Sequence, residues 1–211
     1  MLNFCPNFER DCREFLLTQG QSDAAHDISH LTRVVKTAKQ LALEEGADLA
    51  VVVPAAWLHD CVSLPKNHPD RSSASTLAAD KAVTFLTSIG YPTQYMNAIH
   101  HAICAHSFSA NIEPTALEAK IVQDADRLDA LGAVGIARCM QVSGSLNRAL
   151  YSLEDPFCLE REPNDSLYSI DHFYRKLFRI SSHLHTLSAQ REGKRREDVM
   201  RSFLAQLALE V

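Results

Sequence analysis

The amino-acid sequence predicts an all-α protein, and three observations carry that reading. Apolar residues return at i, i+3, i+4 and i+7 along nearly the whole chain, the spacing of one face of a 3.6-residue helix. Glycine, proline and short capping residues cut those runs into helix-length pieces, as at Gly20, Gly46, Asp48, Gly90 and Pro92. The β-branched run Val51-Val52-Val53 sits inside a longer apolar stretch and has no second strand-like segment nearby to pair with.

The first helix runs from about Phe8 to Thr18, with Phe8, Cys12, Phe15 and Leu16 on one face. A second spans about Asp27 to Glu45. Its inward stripe of Leu31, Val34, Val35, Ala38, Leu41 and Ala42 also takes in His30, one turn before Val34, and His26 falls on nearly the same face. Asp48 caps a third helix, whose run Leu49–Leu58 is apolar on all sides before it ends at His59-Asp60. Pro54 is expected to kink it. A polar connection with two prolines, 63–72, leads to a fourth helix with Ala74, Leu77, Ala78, Ala82, Phe85, Leu86 and Ile89 inward. The fifth starts at about Thr93 and brings His106 into line with Ala102. Thr115-Ala116-Leu117-Glu118 reads as a capping box for a sixth, with Leu117, Ile121, Val122, Ala125, Leu128 and Leu131 inward, continuing to about Cys139. Residues 143–168 read as irregular. Two helices close the chain, one with Phe173, Tyr174, Leu177, Leu184 and Leu187 inward, the other with Met200, Phe203, Leu204 and Leu207.

Composition narrows the function. The chain has 211 residues, enough for one domain with a sizeable core, and is 46% hydrophobic and 22% charged. A net charge of −5 argues against duplex nucleic acid held on a basic surface. A small phosphorylated ligand stays open, because a metal supplies positive field locally. No uncharged apolar run approaches the roughly 18 residues of a membrane span, and Met1–Pro6 shows neither a basic nor an apolar leader region. The six cysteines form no C-x-x-C pair, as in reduced thiols. The expected compartment is the cytoplasm, without a membrane partner.

His59-Asp60 poses the chemical question. Burying an imidazole and a carboxylate is costly unless they are hydrogen-bonded or bind something. His30 and Asp126, from two other helices, complete a set that a divalent cation would join. Neighbours on a helix diverge by about 100°, so His59 and Asp60 reach one ion only near that helix's end. Two imidazoles and two carboxylates make a mixed N/O site suited to Mn²⁺, Fe²⁺, Mg²⁺ or Zn²⁺, with positions open to water or substrate. Each residue alone has an ordinary structural reading: His30 as a hydrogen-bonded core histidine, Asp126 as a partner of Arg127, Arg33 or Arg138. The joint pattern points to the metal.

At these residues the sequence resembles a family. H-D-x-x-H-x-x-R-V at 26–34, H-D at 59–60 and D-A-D-R-L-D-A-L-G at 124–132 are similar to the HD superfamily of metal-dependent phosphohydrolases. Segments 66–69, 105–110 and 121–128 more narrowly resemble its bacterial YedJ-type branch. The resemblance is strong over about residues 20–145 and looser beyond. It implies a single HD domain over 1–211, with a helical core at about 20–145 and a C-terminal helical extension at about 146–211. It implies one divalent metal ion (Mn, Mg, Fe, Ni, Co or Zn) held by His30, His59, Asp60 and Asp126. It further implies a hydrolase for phosphate esters, monoester or diester, of a small nucleotide-like metabolite. A metal-binding or ligand-sensing HD domain without turnover is the alternative.

Phosphoryl transfer depends on positioning and charge neutralisation. Lys66, Arg71 and Arg127 are therefore candidate substrate contacts, Lys66 and His68 candidate catalytic groups, and His101 and His106 candidates for lining the pocket. His26 and Asp129 stand behind the ligands, and Asp129 or His68 is a candidate base. Cys61-Val62-Ser63 follows the His-Asp pair with no acidic residue before Asp70. That departs from branches acting on 5′-deoxynucleotides or guanosine tetraphosphate, and the lack of a G-Y-P motif departs from cyclic-dinucleotide phosphodiesterases.

Overall fold

The helical stripes of the sequence become α1 (Phe8–Thr18), α2 (Ile28–Glu45), α3 (Leu49–Leu58), α4 (Ala74–Ser88), α5 (Met96–His106), α6 (Leu117–Leu128), α7 (Gly132–Ser145), α8 (Phe178–Ser181) and α9 (Leu187–Leu207). A single π-helical turn, Phe173–Leu177, leads into α8. The computed structural model describes residues 7–18, 28–62, 64, 71–107 and 110–211, and among them no strand forms, only an isolated bridge between Ala149 and Tyr168. Gly20, His26, Asp27, Lys66 and His68 lie outside the described residues. No described helix is long and apolar enough to cross a membrane. The chain divides into two compact units, Met1–Asp126 and Arg127–Val211.

The first unit is built around α3. Every residue from Ala50 to Leu58 is buried, as expected of a helix apolar on all sides, and α1, α2, α4 and α5 all pack against it. The Asp48 side chain accepts from Ala50 N (2.8 Å), the N-cap expected from the sequence. The hydroxyl of buried Tyr91 donates to the Ala50 carbonyl (2.6 Å). The α2 stripe is buried as spaced: His30, Leu31, Val34, Val35, Ala38, Leu41 and Ala42 all face inward. Leu77 and Leu117, expected inward, are exposed. The capping box also fails. Glu118 accepts from Asp48 N (3.1 Å) at the start of α3 instead, and the Thr115 hydroxyl meets His101 Nε2 (3.1 Å).

In the second unit, the expected run from α6 to Cys139 is two helices. The chain turns after Leu128 and restarts at Gly132, whose φ of +70° lies in the left-handed region. Arg138 Nη1 donates to the Asp129 carboxylate across that turn (2.6 Å), and a β-carbon at Gly135 would collide with the Ala130 carbonyl. Leu128 and Leu131 stay buried through the break, so apolar spacing alone does not reveal it. Helix α7 packs on α9, as does α8. Leu187, expected inward on the preceding helix, is the exposed first residue of α9, because Thr186 caps a new helix by accepting from Ala189 N (3.4 Å). Between α7 and the π turn, Ala149 makes the two backbone hydrogen bonds of that isolated bridge, its N donating to Leu167 O (3.1 Å) and its O accepting from Ser169 N (2.9 Å). Asp155 gathers the backbone N–H groups of Leu159, Glu160 and Arg161.

Candidate metal centre

Three helices deliver the side chains. His30 sits in the first turn of α2, His59 and Asp60 follow the last residue of α3, and Asp126 lies near the end of α6. Placing the His-Asp pair just past the helix end lets two sequence neighbours face one point, which consecutive helical positions, about 100° apart, do not allow.

Nε2 of His30 lies 3.4 Å from Asp126 Oδ1 and 3.8 Å from Asp60 Oδ2. Nε2 of His59 lies 3.5 Å from Asp60 Oδ2 and 3.8 Å from Asp126 Oδ1. His30, His59 and Asp60 each offer a ligand atom within 4.8 Å of the others. The imidazoles form the floor, 1% and 0% exposed, while the carboxylates of Asp60 and Asp126 are 19% and 29% exposed and form the open edge.

The tautomer of His59 is set by its backbone. Nδ1–H donates to the Ala56 carbonyl (2.9 Å), so Nε2 turns a lone pair toward the carboxylates. That nitrogen is buried and makes no hydrogen bond. A buried polar atom left this way costs about 1–3 kcal/mol, and a cation removes the cost. Ligand bonds of about 2.0–2.2 Å put neighbouring donors about 3–3.5 Å apart around one ion, close to the separations of 3.4–3.8 Å seen here. The donor set therefore fits a divalent metal.

Electrostatics agree. Burial pushes the Asp60 carboxyl upward, but His59 and His106 outweigh it and hold the group below the usual carboxylate range. Asp126 is likewise raised by burial and then brought well below that range by the neighbouring imidazoles of His30 and His59. For His59, burial lowers the pKa, yet Asp60 and Asp126 together move it upward. Both acids are thus ionised, the state hard oxygen ligands need. Cys61, next in the chain, is not a competing ligand: burial raises its thiol to about 12, and Sγ donates to the Ala78 carbonyl (3.3 Å).

The remaining candidates are spread. His106 joins the cluster, with Nε2 3.4 Å from Asp60 Oδ1. His101 Nε2 accepts from Thr115 N (3.2 Å), and Arg71 Nη1 donates to the Leu64 carbonyl (3.0 Å). Arg127 Nη1 donates to the His183 carbonyl (2.7 Å), and Asp129 is held by Arg138. Sequence reasoning missed Gln123. It is buried one turn before Asp126 and donates to the Ala105 carbonyl (2.6 Å), tying the end of α5 to α6. A polar residue in the buried stripe between Val122 and Asp124 was the available signal.

Residues 27–131 match the HD domain family. YpgQ of Bacillus subtilis, an uncharacterized protein, is 33% identical over 192 residues, covering 89% of this chain and 85% of its own. The crystal structure of YpgQ in complex with ADP superimposes with a TM-score of 0.70 at 27% identity, over 96% of each chain. An HD-superfamily hydrolase from Bacillus thuringiensis gives a TM-score of 0.72 at 27% identity, over 96% of this chain and 97% of that one. The arrangement of two imidazoles and two carboxylates is thus found in a chain that belongs to the HD domain family.

Proposed function

We propose that this chain is a metal-dependent phosphohydrolase acting on a phosphate ester, monoester or diester, of a small nucleotide-like metabolite. The observation that carries the reading is the buried, unbonded Nε2 of His59 facing two ionised carboxylates, a set that lacks only a cation. A divalent ion held there supplies the charge that makes water nucleophilic near neutral pH and polarises a phosphoryl oxygen. His30 and His59 hold the ion from the buried side. Asp60 and Asp126 hold it from the open side, so substrate approaches over the carboxylates. The complex of YpgQ with ADP supports a nucleotide as the substrate class. Lys66, His68 and Arg71 are proposed to meet the phosphate, with His68 or Asp129 handling the proton.

A sensor without turnover is favoured by one feature, the absence of an acidic residue at positions 61–63. A hydrolysis screen of the purified chain, read as phosphate release for the monoesters and as release of the alcohol chromophore for the diester, separates the two readings. The panel is nucleoside phosphates, sugar phosphates and a model phosphodiester, each with Mn²⁺ or Mg²⁺. Hydrolysis is expected among the nucleotides and is expected to be lost in Asp126→Ala. A metal-loaded protein that turns over nothing in the panel is a sensor, and activity surviving in the variant belongs to a contaminant.

A further inference from the structure

We propose a second cation site in the first unit, where Cys104 Sγ and His100 Nδ1 hold a thiophilic divalent cation of the Zn²⁺ class and Asp80 holds the His100 ring. These residues stand apart from the His30, His59, Asp60 and Asp126 set, so the inference goes beyond the hydrolase reading and does not depend on it.

Two helices set the groups out. His100 and Cys104 are four residues apart on α5, so they share one face of it. Thr76 and Asp80 have the same spacing on α4, which packs against α5. The two rows meet in register. His100 Nε2 lies 2.9 Å from Asp80 Oδ1, and the Thr76 hydroxyl is hydrogen-bonded to the Cys104 thiol. His100 Nδ1 lies 3.6 Å from Cys104 Sγ.

These contacts decide which atoms face a cation. A carboxylate only accepts, so the neutral His100 ring gives Nε2–H to Asp80 and keeps a lone pair on Nδ1. That lone pair faces the sulfur. Ligating histidines typically give their outer N–H to a carboxylate in this way, which fixes the ring and raises its basicity. A tetrahedral zinc ion, with bonds of about 2.3 Å to sulfur and about 2.0–2.1 Å to nitrogen, spaces two such donors by about 3.5 Å. The 3.6 Å between Sγ and Nδ1 matches that spacing. Burial raises the pKa of the Cys104 thiol, so the sulfur keeps its proton until a metal arrives. A sulfur–metal bond then replaces the S–H bond, and the proton leaves to solvent. The remaining positions fall to water, since His100 is 37% exposed and Asp80 65%. The thiolate also distinguishes this site from the first, because sulfur selects softer ions than carboxylates do.

The test adds Cd²⁺ to the reduced full chain in excess Mn²⁺, without substrate, and follows the ultraviolet charge-transfer band of a cadmium-bound thiolate. The His30, His59, Asp60 and Asp126 set contains no thiolate, so it is silent in this reading. One equivalent per chain is expected in wild type and none in Cys104→Ser. Asp80→Ala, which removes the carboxylate behind the ring, is expected to bind about 10–100-fold more weakly, and His100→Ala at least as weakly. Cys158→Ser, at a cysteine that is only half-buried, is expected to keep the band. Thermal melts without metal select the variants that fold, and Asp80→Ala, at an exposed helical position, decides the question if the others do not. No band in wild type, a band that survives in Cys104→Ser, or one lost in Cys158→Ser overturns the proposal. Wild-type affinity in His100→Ala or Asp80→Ala also overturns it, by reducing the site to a lone thiol.

Discussion

Asp171 in the second unit and Asp60 and Asp126 in the first are all carboxylates drawn in among other polar groups, and they are treated in opposite ways. Asp171 is fully buried and saturated. Arg161 grips both of its oxygens (2.5 and 2.8 Å), and Asn164 N adds a third bond (2.6 Å). One guanidinium offsets one carboxylate, and the fork geometry uses both oxygens. Around Asp60 and Asp126 two acids face His30 and His59 at 3.4–3.8 Å, too long for good hydrogen bonds, with no arginine or lysine bridging them among the ion pairs of the described residues. Burial raises the pKa in both places and is outweighed in both, by an arginine at Asp171 and by imidazoles at the centre. A saturated acid cluster is closed structure. An unsaturated one is where the chain has left room for a ligand.

The largest effect expected from breaking this contrast is at the saturated cluster. Arg161→Ala leaves Asp171 buried without its partner, which typically costs about 3–5 kcal/mol. Urea denaturation measures it, and a loss below about 1 kcal/mol, the scale of a surface pair, would mean that the cluster is not closed structure after all. At the open cluster the expected effect is a gain on adding ligand. A metal at about 100 times its dissociation constant stabilises the folded chain by about 2.7 kcal/mol, read as a rise in melting temperature with Mn²⁺. Asp60→Ala should lose that increment while Arg161→Ala keeps it. Equal increments in wild type and Asp60→Ala would place the ion elsewhere.

The sequence disclosed these two clusters unequally. Helical spacing put His30 in the buried stripe of α2, and the unbroken apolar run put His59 and Asp60 at the end of a central helix. Burial and periodicity are both written in the order of apolar residues, so those features were legible. The turn at 129–131 was not, because Leu128 and Leu131 keep the spacing of a helix while Gly132 leaves it. The fates of Glu118 and His101 were not legible either. Each is decided by a partner distant in the chain, Asp48 N for the first and Thr115 for the second, in place of the local capping that the residue types suggest. The placement of His106 lay between these cases. Its line with Ala102 marked it as inward, but which oxygen of Asp60 it meets depends on how α5 ends against α3 and α6.

The smallest effect separates the two kinds of imidazole–carboxylate pair. In the second unit His172 Nδ1 meets Asp165 Oδ2 at 2.8 Å, a closed pair, unlike the 3.5 Å between His59 and Asp60. Burial lowers the pKa of His172 below 6.5, and Asp165 only partly opposes it. The folded ring therefore takes up a proton less readily than the unfolded one. Between its folded pKa and 6.5 the unfolded chain binds more protons, so stability rises with pH through that window and falls as the solution is acidified below 6.5. Replacing His172 with glutamine, which keeps a hydrogen-bonding side chain and does not titrate, should remove this part of the slope. The reading is the difference between wild-type and His172→Gln unfolding free energies across that range, without metal, which cancels the contribution of every other histidine. A difference that grows toward alkaline pH in favour of the wild type supports the closed pair. A difference that grows toward acid would mean that the imidazole is held in its charged form, and that His172 and Asp165 form an ion pair like that of Arg161 and Asp171.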